Sequence, residues 1–401
     1  MTTLWDTTGS AVVKELAAQR RTGGAVLSGV ALTLVVVADE ARVVEAEEAA
    51  TAAAEQHPCR ILVVVRRQID APVPRLDAEV SIGGRLGPGE AVVMRMYGRL
   101  ALHAESVVLP LLAADAPVVT WWHSDPPSRL TTDALAVIAD RRITDSTVAA
   151  DQMTALRARA HDYAPGDTDL AWTRATSWRA TLTSALDSVY GRRGDAVRVL
   201  GGRIEGDPGA ATAQLLAGWV ESRSGARLEV VPAARHTGPS GVDSVVLELD
   251  QDEEVRVHAD RRGGAVISQP YRPDATVALP DRTLGDLLGE ELRRLDPDEP
   301  YAEALEVTTG VSGLVDRAPL RAHVWVDPAQ PDGRGGPVSA AAVAENSPHG
   351  AAPTVPPTSE GTDEVALSGE HDTPDPTAPE TETEPETEPE TEPASGPGAV
   401  R

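Results

Sequence analysis

Two apolar runs separated by a helix-length stretch govern the N-terminal part of the chain. Val30 to Val37 are almost wholly apolar and alternate poorly, the pattern of a strand covered on both faces. Asp39 to Gln56 follow with Ala/Glu-rich helical composition and spacing, stopped by Pro58, and Ile61 to Val65 form a second buried run. A crossover of this length suits parallel pairing, so the segment reads as a βαβ unit. That commits the chain to an α/β fold, because a parallel sheet must be covered on both sides.

The remaining elements extend this frame. Leu76 to Ile82 and Val92 to Leu100 flank the turn Gly83 to Gly89 and read as a hairpin. A short helix at Ser106 to Leu112, a strand at Pro117 to Trp122, a helix at Thr132 to Asp140 and a strand at Arg142 to Thr144 follow. A long helix is expected from Asp167, its Asp residues suiting the positive end and Trp178, Leu182, Leu186 and Val189 sharing one face. Val197 to Leu200, Pro208 to Glu221 and Leu228 to Val231 read as a second βαβ unit, and Val245 to Leu249, Val255 to His258 and Ala265 to Ile267 as an antiparallel meander. Helices from Leu284 to Leu295 and from Pro300, and a strand at His323 to Val326, complete the pattern. The expectation is an α/β chain with two domains, residues 1–155 and 156–327, each with a mixed, partly parallel sheet built on a βαβ unit.

Residues 328–401 form a third region rich in Pro, Glu and Thr, with three ETEP tetrapeptides between Glu382 and Pro393. Like charges at close spacing and almost nothing to bury predict a disordered, extended acidic tail. The net charge of −26 and the absence of clustered arginines argue against a nucleic-acid partner. The longest apolar stretch near the start, Val30 to Ala38, is too short for a membrane helix, which needs about 20 residues. The N-terminus lacks the apolar core and cleavage site of a secretory signal, so a cytoplasmic chain is expected. Lys14 is the single lysine, set in a short apolar helix, and it suits neither a P-loop, a kinase nor a Schiff-base enzyme. The single cysteine, Cys59, excludes an intrachain disulfide and a multi-cysteine zinc site.

Three segments carry chemistry worth weighing. Val118 to Pro127 places Trp121, Trp122, His123 and Asp125 at the C-terminal end of a parallel strand, with Asp145 on the same edge, where open α/β sheets bind ligands. An exposed interface or ligand patch and a core-plus-turn arrangement both fit; no nucleophile is paired in sequence, so catalysis ranks below either. Trp172, six residues before Trp178, points about 120° away from it on a helix. With Arg174 it reads as a partner hot spot or as a staple inside the protein. The glycine-containing segment Gly201 to Gly209 looks like a phosphate loop but matches neither GxGxxG nor the P-loop, and Glu205 and Asp207 would repel an anion. A plain connection capped by Asp207 is favoured there. Cys59 reads as a small buried hydrophobe.

The segments LWDTT (Leu4 to Thr8), EQHPCRILVVV (Glu55 to Val65), VVLPLLAADAPVVTWWHSD (Val107 to Asp125), RRITD (Arg141 to Asp145), YAPGDTDLAWTRATSWR (Tyr163 to Arg179) and ELRRLDPDEPYAEAL (Glu291 to Leu305) closely resemble the glucose-6-phosphate dehydrogenase assembly protein family, OpcA. The resemblance implies a non-catalytic protein that binds glucose-6-phosphate dehydrogenase, promotes its active oligomer and supports NADPH supply through the oxidative pentose phosphate pathway. It brings no catalytic, cofactor or metal residues. The residues expected to meet the partner are Trp121, Trp122, His123, Asp125, Asp145, Trp172 and Arg174. The rival readings are a phosphosugar-handling enzyme using the Trp122/Asp125/Asp145 edge or the Gly201 segment, and a sensor of NADPH or a sugar phosphate.

Overall fold

The computed structural model describes residues 1–22, 30–83, 89–194, 196–233, 240–260 and 263–320. The expected acidic tail and the strand at His323 to Val326 lie outside the described residues.

The first sheet has eight strands: β1 (Thr2–Leu4), β2 (Leu32–Ala38), β3 (Cys59–Arg67), β4 (Arg75–Ile82), β5 (Glu90–Tyr97), β6 (Val118–Trp122), β7 (Arg141–Thr144) and β8 (Asp167–Asp169). Between them run α1 (Gly9–Thr22), α2 (Val43–Gln56), α3 (Arg99–Leu102), α4 (Glu105–Val108), α5 (Ala134–Val137) and α6 (Gln152–Asp162). The order is β1-β4-β5-β3-β2-β6-β7-β8; the six strands from β5 to β8 are parallel, and β4 and β1 pair antiparallel at one edge. Every residue of β2 is buried, and its side chains alternate between two cores. Leu34 and Val36 join Ile61, Val63 and the Ala face of α2, whereas Val35 and Val37 join Leu62, Val64 and the α1 side. Each such Val or Leu contributes about 1.5–3 kcal/mol of burial free energy.

The second sheet has six strands: β9 (Val199–Gly206), β10 (Leu228–Pro232), β11 (Val242–Leu249), β12 (Glu254–Ala259), β13 (Gly264–Gln269) and β14 (Arg272–Ala278), in the order β10-β9-β11-β12-β13-β14. β9 and β10 are parallel across α9 (Ala211–Ser224), the second βαβ unit; the rest are antiparallel. The other helices are α7 (Leu170–Arg174), α8 (Thr176–Arg193), α10 (Leu284–Leu292) and α11 (Glu299–Thr309). One face of the second sheet packs on α8 and α9 through Ile204, Val245, Leu247, Val255, Val257, Trp178, Leu182 and Leu216. The α/β class and both mixed sheets are as expected.

Segments after residue 156 also complete the first sheet. β8 is its last strand, and α10 packs on α2, with Leu287, Leu288 and Leu292 entering the core of Leu34 and Ile61. Small residues permit that approach: a Cβ on Gly285 would stand 2.6 Å from the Ala52 Cβ. The long helix expected from Asp167 instead opens with β8 and breaks into α7 and α8, because the Asp167 and Asp169 carboxylates are drawn inside by buried donors.

Candidate functional site

Counted from β2, the parallel strands run 3-2-1-4-5-6, the doubly wound order, with its reversal between β2 and β6. In such sheets a ligand lies in the crevice at the C-terminal ends of those two strands, its phosphates on the N-terminus of the following helix. Here β2 is followed by Asp39-Glu40-Ala41-Arg42, with no glycine to admit a phosphate. The Glu40 carboxylate in that turn is engaged by the chain's own Arg95 at 3.1 Å, with Arg67 3.8 Å away. The crevice is also stitched across: the Asp39 N–H donates to Ser124 Oγ at 2.8 Å and the His123 N–H to the Val37 carbonyl at 3.0 Å. The His123 ring lies 5.0 Å from the Trp121 ring, and its Nε2 stands 3.5 Å from the Glu45 carboxylate without a hydrogen bond. Burial lowers the His123 pKa; the Glu45 carboxylate opposes this.

Further along the same edge, fixed charges replace open chemistry. Arg174 forks onto Asp145 with two bonds of 2.9 Å, and Asp145 also accepts from Thr147 N–H at 3.0 Å and Oγ1 at 2.6 Å, closing the turn after β7. The fully buried Asp169 caps α7 through Ala171 N–H at 2.9 Å and accepts from Thr144 Oγ1 at 2.8 Å and from Ser146 N–H at 3.0 Å and Oγ at 2.7 Å. Burial and then the neighbouring Asp145 carboxylate push its pKa up, against those four donors. Arg141 on β7 pairs with Glu291 on α10 and donates to the Asp296 carbonyl at 2.9 Å, while Glu291 accepts from Thr173 Oγ1 at 2.6 Å. Trp172 donates its indole N–H to Asp298 at 2.8 Å, under the Arg179 guanidinium at 3.4 Å from the ring centroid. Burial brings the Arg179 pKa down to about 10. These carboxylates are occupied by the chain's own donors, and the arrangement fixes shape.

The predicted site residues divide accordingly. Trp121, Trp122, His123 and Trp172, weighed as an exposed patch, are at most 2% exposed. The physical reason is the two-sided cover of the sheet: Trp121 enters the core under α2 and Trp122 the opposite core, so the usual in/out alternation leaves neither outside. Trp172 packs near Tyr301, 5.9 Å between centroids, as the internal staple. Asp125 is exposed, and Asp145 and Arg174, 29 residues apart, are brought together. Sequence reasoning read Asp169 only as a charge at a helix start and gave no role to Arg141, Glu291 or Asp298; their partners are separated by up to 155 residues, and an isolated Arg or Glu carries no local signal.

The Gly201 to Gly209 segment is largely strand β9 rather than a loop. A Cβ on Gly202 would stand 2.1 Å from the Val246 carbonyl and one on Gly206 2.2 Å from that of Gly241, so these glycines serve the approach of β9 to its neighbour. Asp207 accepts from the Gly209 N–H at 2.8 Å in a local turn, and α9 begins only at Ala211. Cys59 is buried at the N-terminal end of β3, with its thiol pKa pushed up to about 12 by burial. Among the described residues no group of three or more His, Cys, Asp or Glu is gathered as for a metal, and no helix is long and apolar enough to cross a membrane.

Fold and edge together define a doubly wound α/β protein whose switch point is bridged by the Ser124 hydroxyl, joined to a mostly antiparallel second sheet. Residues 50–161 match the family model described as glucose-6-phosphate dehydrogenase subunit N-terminal domain, and residues 165–305 the corresponding C-terminal domain. The chain belongs to this OpcA glucose-6-phosphate dehydrogenase assembly family. No curated protein matches it. Among solved structures it is similar to an oxidoreductase from Sinorhizobium meliloti, at 9% identity and TM-score 0.39 over 74% of this chain and 99% of that one. It is also similar to a dehydrogenase from Chromobacterium violaceum, at 10% identity and TM-score 0.35 over 71% and 95%.

Proposed function

We propose that the chain is a non-catalytic assembly factor that binds glucose-6-phosphate dehydrogenase in the cytoplasm and shifts it toward its active oligomer, sustaining NADPH supply. The observation that carries this reading is the pair of family matches over residues 50–161 and 165–305, each described as a subunit domain of that dehydrogenase. The glycine-free turn after β2 supports it, since a dinucleotide enzyme of this topology uses glycines there to admit the pyrophosphate. Contact through the C-terminal edge of the first sheet would use the exposed Asp125 and the half-buried Arg174, with Trp121, Trp122, His123, Asp145 and Trp172 holding the edge in shape.

A partner changes an oligomeric equilibrium only through different affinities for its two states, and a tenfold shift requires about 1.4 kcal/mol. The test is dehydrogenase activity and sedimentation with and without the purified chain. Activity and sedimentation should both rise on addition; unchanged values in both reject the proposal.

A further inference from the structure

At its antiparallel margin the first sheet has two unlike faces. Toward α1, β4 turns Leu76, Ala78 and Val80 into the core with Val12 and Leu16; toward the α2 side it carries Arg75, Asp77, Glu79 and Ser81. An antiparallel margin can leave one face to water, but here the polar face is organised. Arg67 of β3, Tyr97 of β5 and Arg75 of β4 are direct cross-strand neighbours. The two guanidiniums lie 5.7 and 5.3 Å from the Tyr97 ring centroid.

Trp5 stands at the end of this row. Leu4 pairs with Ala78, the Asp6 N–H donates to Asp77 at 3.0 Å and the Thr7 N–H to the Leu76 carbonyl at 2.8 Å, so the backbone is bonded on both sides of Trp5. Its side chain is nevertheless 69% exposed. The loop from β3 to β4 adds the exposed Ile69 and Val73 and is pinned by the Gly98 N–H, which donates to the Gln68 carbonyl at 3.1 Å. A Cβ on Gly98 would stand 2.6 Å from the Ala71 carbonyl, so the loop closes only over glycine. A tryptophan held in water adds little to the fold, whereas a partner that covers it removes about 150–250 Å² from water.

The ion pairs of the row turn their guanidiniums outward. Asp77 accepts from Arg75 Nε at 2.9 Å and Nη2 at 2.7 Å, and is 3% exposed against 45% for Arg75. Arg67 meets Glu40 only at 3.8 Å, and Glu40 already accepts from Arg95 at 3.1 Å. Glu79 accepts from Arg95 as well, and Asp6 and Asp70 are exposed carboxylates at the margin. A surface laid on the row therefore meets guanidinium N–H groups, an aromatic ring and an indole. Its complement carries carboxylates around an apolar pocket. A second copy would bring the same guanidiniums and the same protruding Trp5, which is no such complement. Trp, Tyr and Arg are also the residue types that dominate hot spots between proteins.

We propose that this flank, anchored by Trp5, Arg67 and Arg75, docks on a carboxylate-rimmed apolar patch of glucose-6-phosphate dehydrogenase. The proposal rests on the dehydrogenase reading and extends the contact edge from Asp125 across β3, β5 and β4.

Two measurements on the full-length chain test it: titration calorimetry with the purified dehydrogenase, and hydroxyl-radical footprinting of the chain alone and in the complex. Trp5→Ala and Arg67→Ala should each weaken binding at least tenfold with unchanged thermal midpoints, and Arg67→Glu should weaken it further. Tyr190→Ala, at an exposed position on α8, should bind within twofold of the parent. Trp5 should be oxidised in the chain alone and protected in the complex. If the parent binds while Trp5→Ala or Arg67→Glu keeps its full affinity, the inference falls and the dehydrogenase reading stands. Protection of Trp5 in the chain alone, as cover by residues 328–401 or by a second copy would give, also overturns the inference. Absence of binding by the parent chain overturns both.

Discussion

Replacing Glu291 with alanine tests whether the buried charge lattice holds α10 on the first sheet. Arg141 and Glu291 have side chains 2% and 6% exposed, and the Glu291 carboxylate also receives the Thr173 hydroxyl. Glu291→Ala therefore leaves a guanidinium inside the protein with the Asp296 carbonyl in place of an ion pair, and leaves the Thr173 hydroxyl only the Asp169 carbonyl at 3.4 Å. Breaking one side of such a pair costs about 3–5 kcal/mol, a large share of the roughly 5–15 kcal/mol that holds a typical domain folded. Glu291→Gln keeps an acceptor for Thr173 and loses the charge, and should cost about 1.5–3 kcal/mol. The double variant Arg141→Met, Glu291→Leu removes both charges together and should lie within about 2 kcal/mol of the parent. Urea unfolding followed by fluorescence reads this directly, because Trp121, Trp122, Trp172 and Trp178 are all buried. A cost below about 1 kcal/mol for Glu291→Ala, or a double variant weaker than that single one, refutes the reasoning.

Gly218→Ala, which in an isolated helix would stabilise by about 1 kcal/mol, should here destabilise by about 1–3 kcal/mol, because the new Cβ would stand 2.6 Å from the Ala304 carbonyl of α11; urea midpoints give the sign. Cys59, with its pKa raised to about 12 by burial, should resist thiol reagents at pH 8 in the native chain and react fully in denaturant, and native labelling at the rate of a free thiol contradicts the placement. The Asp250 pKa is lowered from about 3.8 to about 2, chiefly by the Arg193 side chain, so its stabilising effect is fully present above its unfolded value and disappears as pH falls from about 4 toward 2. Asp250→Asn should flatten unfolding midpoints across that interval, and parallel curves for the two proteins would dismiss the assignment.

The legible part of the fold is the part where one residue pattern has one physical solution. The run Leu32–Ala38 admits only a strand buried on both sides, and the Ala face of α2, with Ala46, Ala49, Ala50 and Ala53 buried, could pack only on it. β14 gave no such signal: of Arg272 to Ala278 only Val277 is not exposed, and it is a strand because β13 offers it hydrogen bonds. Asp167–Asp169 misled for the opposite reason. Acidic residues usually mark a helix start, whereas here Arg142 and the Ser146 and Thr144 hydroxyls make a buried acidic strand affordable. At the site, residue types at one strand end were readable, but the pairing of Asp145 with Arg174 and of Arg141 with Glu291 belongs to tertiary structure.

The same lattice bears on how such a chain would act on a partner. α10 follows β14 of the second sheet directly, yet Leu287, Leu288 and Leu292 are buried under the first, and Glu291 is anchored to β7. A hinge between the sheets would have to extract that ion pair and that leucine face together, so the two sheets present one rigid surface. Rigidity matters for an assembly factor because ordering a flexible binder costs about 0.5–1.5 kcal/mol per immobilised side chain, as much as the 1.4 kcal/mol of state preference that a tenfold shift requires. The bonds from Asp39 N–H to Ser124 Oγ and from His123 N–H to the Val37 carbonyl add to that stiffness at the C-terminal edge of the first sheet. Under the proposed function, a preference for one state of the partner would reside in the shape of the surface, which side chains buried beneath it, such as Trp172 and Glu291, would set without touching the partner.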